Sequence, residues 1–416
     1  FVGEYPEEAP FTIGELEEIY PCASSKSKED EVFKEKAHAA VSKLQEGYPP
    51  YIALWKQILR VSVEDLKKNY GNLGVSFDLW YGESNAQPYI QDMIDDMVEK
   101  GHAVESMGAL VVDIKEESDT KELPPCIVRK SDGAALYETT DLATIIQREK
   151  DYQPDRYIYL ADKLQELHFI QVFRTAKKCG LLPADKELFF LGFGTVNGKD
   201  GKPFKTRDGG VMRLEDLISA VNEEVYKKIV SAREMSEEEA RKIAKTVGLA
   251  ALKYADLSNQ AVKDYIFDAE RFTSFEGNTG PYILYTMVRI KSILTKYAEQ
   301  AGMPLESTKD VKIGKIAHPY CEGDTREYGA AEIDLMLTAA KFNDVIAHAY
   351  QETAPHKICQ YIYDMANAFN SFYHENKIMG EEKKEKQSEW IALITLVLRL
   401  LEACTDLLGF EAPERM

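Results

Sequence analysis

Apolar positions along this chain follow a helical period at both ends and a strand-like one only in the middle. Between Asp30 and Glu46 the apolar set is Val32, Phe33, Ala37, Ala40, Val41 and Leu44. From Tyr51 to Val61 it is Leu54, Ile58 and Leu59. Both sets predict amphipathic helices, separated at Tyr48-Pro49-Pro50 because proline favours a break. Past about residue 75 the period changes. Gly74 to Trp80, Ala109 to Ile114, Cys126 to Arg129, Tyr157 to Ala161 and Glu187 to Leu191 read as strands. Tyr89 to Lys100 reads as a helix closed by Gly101, and Lys163 to Lys178 as one stopped by Gly180. A further helix is expected to begin near Thr139 or Thr140, either of which could cap it. After about 212 the signals are helical only. Ser236-Glu237-Glu238-Glu239 fits a capping box. Ile243–Leu257, Tyr282–Ala298, Ala330–Tyr350, Lys357–Tyr373 and Glu389–Leu408 carry helical spacing, and Gly380 to Lys386 is expected to be a charged, solvated loop.

Helix and strand alternate from about 139 to 192, and helical crossovers between parallel strands are the economical solution. The expected fold class is α/β plus all-α: a partial doubly wound, Rossmann-like parallel sheet followed by a helix bundle. Ligands in such sheets bind beyond the carboxyl ends of the strands. That places the region from Asp162 and the loop after Leu191 at the expected site.

The composition is that of a globular protein, with 44% hydrophobic and 29% charged residues among 416. No apolar run reaches the ~18–20 residues of a membrane helix; the longest, Ile391 to Leu401, contains Arg399. No membrane partner is expected. Six cysteines lie far apart without a C-x-x-C pair, which argues against a zinc site and for reduced, buried thiols in a cytoplasmic protein. The formal charge is 51 − 70 = −19. Any nucleic-acid contact must therefore come from local basic patches.

The segment from Gly192 to Gly210 packs six glycines and four cations into nineteen residues after a predicted strand. Glycines let backbone N–H groups approach phosphates, and Lys and Arg add charge. It is not a Walker A loop: Gly194-x-x-x-Gly198-Lys199 is one residue short, and Asp200 replaces the Ser or Thr. A surface hairpin explains the same composition equally well. Tyr137 and Asp141 are four apart and share a face on a helix. Taken alone, Asp141 is equally a carboxylate favouring a helix N-terminus. Glu83, Gln165 and His168 each read, singly, as solvated or packed bystanders.

Together these residues resemble a family. Asp132-Gly133-Ala134-Ala135-Leu136-Tyr137-Glu138-Thr139-Thr140-Asp141-Leu142-Ala143 resembles a signature of the arginyl-tRNA synthetases. So do Asp162-Lys163-Leu164-Gln165-Glu166-Leu167-His168-Phe169 and Gly194-Thr195-Val196 leading into Phe204-Lys205-Thr206-Arg207. The resemblance runs in order over nearly the whole chain, to Ala412-Pro413-Glu414-Arg415-Met416. It implies a class I arginine–tRNA ligase that activates arginine with ATP, with Mg2+, and passes it to tRNA. By the same resemblance Tyr137, Asp141, Gln165 and Glu83 would bind arginine. His168, Gly194, Thr195 and Val196 would bind ATP, with backbone around Gly194 to Val196 holding the adenine. Lys202, Lys205, Thr206 and Arg207 would form the catalytic phosphate loop, and Tyr282, Tyr285 and Arg289 would meet tRNA. A planar, permanently charged guanidinium suits carboxylate partners. ATP would be a substrate, no bound cofactor or metal ligand is expected, and the partners are tRNA, arginine and ATP, with the chain a monomer.

Two departures stand out. The stretch from Lys202 to Gly209 takes the place of the Lys-Met-Ser-Lys-Ser loop, and no His-x-Gly-His occurs. The expectation is a C-terminal fragment with little activity by itself, lacking the family's tRNA-elbow domain. Its parts are expected at 1–215 (partial catalytic domain with a helical insertion), 216–270 (helical connection) and 271–416 (anticodon-binding bundle). The alternative is a non-catalytic RNA-binding module that uses the bundle alone. The loop from Gly198 to Gly210 is expected to be partly disordered without ATP.

Overall fold

The computed structural model describes residues 12–131, 133–202, 213–232, 234–310 and 328–416. They fall into two units, divided between Phe77 and Asp78.

The first unit is three helices: α1 (Ile13–Glu29), α2 (Glu31–Gln45) and α3 (Pro49–Asn72). Thr12 and Glu15 form a capping box on α1, and Asp30 caps α2 by accepting from Phe33 N–H at 3.0 Å. Pro49 opens α3, where its missing N–H costs nothing.

The second unit begins with a 3₁₀ turn, Glu83–Ala86, and α4 (Gln87–Glu99). An antiparallel sheet follows, of β1 (Val104–Ser106), β2 (Ala109–Val112) and β3 (Cys126–Arg129). Then come α5 (Tyr137–Asp151), β4 (Arg156–Asp162), α6 (Glu166–Lys178), β5 (Glu187–Phe193) and the short β6 (Val196–Asn197). β4 and β5 pair in parallel from Arg156↔Glu187 to Asp162↔Phe193, so both carboxyl ends open at one edge. α4, α5, α6 and these strands share one apolar core, with Leu142, Ile145 and Val172 fully buried. α7 (Leu214–Ala232) and α8 (Glu237–Leu257) lead to β7 (Tyr265–Ile266), which pairs in parallel with β6. After α9 (Ala269–Phe272) comes the bundle: α10 (Gly280–Ala301), α11 (Ala330–Ala340), α12 (Phe342–Gln351), α13 (Pro355–Glu375) and α14 (Lys384–Leu407). α7, α8 and the bundle helices share a second core built on Tyr254, Ile283, Met287, Leu335, Ile362, Phe369 and Phe372.

Several expectations need correction. Gly74 to Trp80 forms no strand, having no neighbour to pair with among the described residues. The cap of α5 is Leu136, because Thr139 is drawn into tertiary contact. Ala330–Tyr350 is two helices that meet at Lys341. β7 lies in a region read as helical only. Ser236 caps α8, but the Glu239 carboxylate pairs with Arg415 instead of completing the box. Gly380 to Lys386 is largely the end of a 3₁₀ turn and the start of α14.

Cys126, Cys179, Cys359 and Cys404 are free and buried, whereas Cys22 is free but exposed on α1, against the expectation of buried thiols. Burial pushes the Cys126 and Cys179 thiols up to about 11 and those of Cys359 and Cys404 to about 12, so these four are unreactive packing groups. Among the described residues no helix is long and apolar enough to cross a membrane.

Candidate active site

The start of α5 is fixed by Thr139. Its hydroxyl is buried, donates to the Val128 carbonyl of β3 at 2.9 Å and accepts from Leu136 N–H at 3.0 Å. This places Glu138 and Asp141 toward the carboxyl end of β4, and leaves Tyr137 exposed on the outer turn. β4 ends at Asp162, which accepts from Leu164 N–H at 2.8 Å and so starts a 3₁₀ turn, Lys163–Gln165. Gln165 is the flanking residue at the start of α6, and His168 lies in its first turn.

His168 Nε2 is 2.6 Å from Asp141 Oδ2, and its Nδ1 is 3.6 Å from Glu138 Oε1. The His168 side chain is 18% exposed and meets the edge of Phe169 at 4.9 Å. The Asp141 hydrogen bond raises the His168 pKa above the ordinary value, and burial opposes it only in part. Tyr159 of β4 lies in the same surroundings; burial first, and then the Asp141 charge, push its phenol up to about 12 against the favourable Arg148. Glu83 is exposed and opens the 3₁₀ turn that packs on α5, anchored by the fully buried Ala86. The structure thus joins Asp141 to His168 directly and sets Gln165 and Glu83 on neighbouring turns.

A second cluster lies past β5. Gly194 runs so close to another backbone that a Cβ there would stand 2.5 Å from the Lys263 carbonyl. Its N–H donates to Ala261 O at 2.8 Å. Thr195 N–H donates to Asp264 Oδ1 at 2.7 Å, and Tyr265 N–H donates to Thr195 O at 3.2 Å. Val196 pairs with Tyr265. The amides of Gly194 and Thr195 are therefore spent on the 261–265 segment. Lys163 Nζ also binds Asp264, at 2.7 Å, and with the Thr195 amide it holds that carboxyl below its ordinary pKa. Gly198 to Lys202 is an ordered turn: Gly198 N–H donates to Lys202 O at 2.8 Å and Lys202 N–H to Asp200 at 3.1 Å. Lys199 pairs with Asp268 at 3.2 Å. Lys205, Thr206 and Arg207 lie outside the described residues.

The bundle carries a third group. Tyr282 donates to Asn367 at 2.8 Å and accepts from Asn370 at 2.9 Å, and Arg289 donates to Asn370 at 2.6 Å. The Arg289 guanidinium lies over Tyr285 at 4.8 Å and near Tyr373 at 5.5 Å. Beside it is a cleft of about 770 Å³ whose lining includes Lys291, Lys296, Arg399 and Arg415. Acids also line it, and Lys291 pairs with Glu414 at 3.6 Å. The cleft is lined by cations and acids in nearly equal number.

Sequence reasoning missed Glu138, Lys163 and Asp264. Glu138 sits three residues before Asp141, a helical spacing that could have found it. The partnership of Asp264 with residues 163 and 195 has no local signature. Among the described residues no group of three His, Cys, Asp or Glu side chains could hold a metal ion.

Comparisons agree with this architecture. The family model "tRNA synthetases class I (R), catalytic domain" matches residues 4–269, and the "DALR anticodon binding domain" matches 283–416. An arginine–tRNA ligase of Agathobacter rectalis is 58% identical over 422 residues, covering 100% of this chain and 68% of that protein. One of Alkaliphilus oremlandii is 53% identical over 416 residues, with the same coverage. The arginyl-tRNA synthetase structure of Plasmodium falciparum has a TM-score of 0.75 at 23% identity, covers 93% of this chain and 63% of its own, and so speaks for the fold. The match of the catalytic model does not favour a bundle-only RNA-binding module. The chain belongs to the arginyl-tRNA synthetases, the class I arginine–tRNA ligases.

Proposed function

We propose that the cluster around Asp141 is the arginine subsite of an arginine–tRNA ligase. In the first step an arginine carboxylate oxygen attacks the α-phosphorus of ATP, forming the adenylate and releasing pyrophosphate. In the second, a hydroxyl of the terminal tRNA ribose attacks the adenylate carbonyl and AMP leaves. The carrying observation is the convergence of Asp141 and Glu138 on one imidazole, His168, at the carboxyl end of β4. Two carboxylates that converge on one planar nitrogen-bearing group suit a guanidinium. Tyr137, Gln165 and Glu83 would complete its walls.

ATP would lie across the carboxyl ends of β4 and β5. Gly194, Thr195 and Val196 would shape the adenine floor. With the Gly194 and Thr195 amides engaged elsewhere, recognition there would rest on shape and on the remaining backbone groups. Lys202, Lys205, Thr206 and Arg207 would neutralise charge on the leaving pyrophosphate. Mg2+ would arrive on the phosphates, since this ion binds through phosphate oxygens and few protein ligands. Tyr282, Tyr285 and Arg289 would meet the tRNA. The exposed Tyr285 ring, backed by Arg289, offers a surface on which an unstacked base can stack. The same reading divides the chain at 1–215, 216–270 and 271–416 and takes it as a cytoplasmic monomer.

The test is equilibrium binding of arginine against citrulline, its neutral isostere. Arginine should bind and citrulline should not compete. Equal binding of the two would contradict a carboxylate-built subsite.

A further inference from the structure

The imidazole of His168 occupies the carboxylates that the substrate guanidinium is proposed to use. Asp141 Oδ2 is taken at 2.6 Å, and Glu138 stands 3.6 Å from the other ring nitrogen. A guanidinium binds best with a fork across both carboxylate oxygens. It would then share Asp141 Oδ2 with the imidazole, since each carboxylate oxygen can accept two hydrogen bonds. A protonated His168 would stand beside the guanidinium as a second cation in a half-buried site, where their repulsion is weakly screened.

We propose that His168 is a positioning residue of the arginine subsite: its imidazolium holds Asp141 and Glu138 ready for the guanidinium, and arginine binding drives its proton off. This rests on the assignment of Asp141 to the arginine side chain.

The surroundings leave His168 few other partners for its charge. α5 supplies Asp141 and Glu138. β4 supplies Tyr159, whose phenol stays neutral and cannot replace the imidazolium. β5 contributes Phe190, stacked on Phe169 at 4.9 Å. Lys163, on the turn before α6, is committed to Asp264. The imidazolium is favoured chiefly by its hydrogen bond to Asp141, which raises its pKa. It neutralises as pH rises through that raised value, and arginine then meets no second cation at Asp141. Arginine affinity should therefore rise with pH, being about tenfold weaker one pH unit below the His168 midpoint than well above it.

Two measurements test this on the whole chain. The first is an NMR titration of the histidine ring protons without arginine, with His168→Gln used to assign one of the seven histidines. His168 should titrate above the ordinary ~6.5 and fall back in Asp141→Asn. A His168 that titrates at or below the ordinary value overturns the proposal. The second is calorimetry of arginine binding near pH 6.5 in two buffers of different ionisation heat. The chain should release protons on binding; His168→Gln should release none and bind with flat pH dependence. A histidine of purely structural role would leave the proton count at zero. Binding without proton release overturns the proposal while leaving the Asp141 assignment intact. A raised, Asp141-dependent titration with no arginine binding at any pH overturns that assignment, and the proposal with it. Should His168→Gln not fold, the buffer dependence of the unaltered chain and the Asp141→Asn titration still decide.

Discussion

The bundle and the parallel pair β4–β5 are comparably rich in apolar residues but use them differently. In the bundle, Leu335, Ile362, Phe369 and Phe372 retain no exposed surface, and helices contribute apolar faces from several sides. In the pair, Tyr157 and Tyr159 are buried against α5 and α6, while Ile158 and Leu160 on the opposite face are 50% and 65% exposed. Parallel strands ordinarily need cover on both faces. The difference separates two jobs. The bundle core carries stability, with Cys359 and Cys404, and Tyr254 of the neighbouring α8, held neutral by burial. The carboxyl end of the sheet pairs partly exposed charges, where a ligand can compete for them.

The comparison predicts a gradient of effects. Phe369→Ala should cost ~3–5 kcal/mol, as truncation of a buried aromatic does, measured by denaturant unfolding. A loss under ~1 kcal/mol would show that the bundle core is not the source of stability. Asp141→Ala should weaken arginine binding by roughly ten- to a hundredfold, the ~1.5–3 kcal/mol of a hydrogen bond to a charged group, with little change in unfolding at pH above the raised His168 value. Gly194→Ala should cost ~1–3 kcal/mol, because its Cβ would meet the Lys263 backbone, which must shift. The His168–Asp141 pair should stabilise the fold below pH ~6.5 and lose that contribution as pH rises through the raised His168 value. Asp141→Asn should remove this slope from a series of unfolding curves. The smallest effect should come from Ile158→Lys with Leu160→Lys: within about 0.5 kcal/mol on stability, with a clear drop in binding of a hydrophobic dye.

What the sequence reveals follows the same division. Bundle helices are legible because a 3.6-residue period reports burial directly: α10 and α13 lie where the spacing places them. β3 spans the expected Cys126–Arg129. The misses are tertiary. Thr139 looks like a cap until β3 supplies the Val128 carbonyl. The apolar run from Tyr157 to Ala161 is the expected strand, but the period does not tell that its cover is one-sided, with Ile158 and Leu160 exposed. At the site, each motif names its residues separately. Nothing local tells that Asp141 and His168, twenty-seven positions apart, touch, or that Gly194 is required by a backbone crossing rather than by a phosphate.

The most direct test of the account is hydrogen exchange of the whole chain with and without arginine. Exchange should slow in α5 around 137–141 and at the start of α6 around 165–168, with the bundle amides of α10, α13 and α14 unchanged. Protection confined to the bundle, or none at α5 and α6 while arginine is bound, would contradict it.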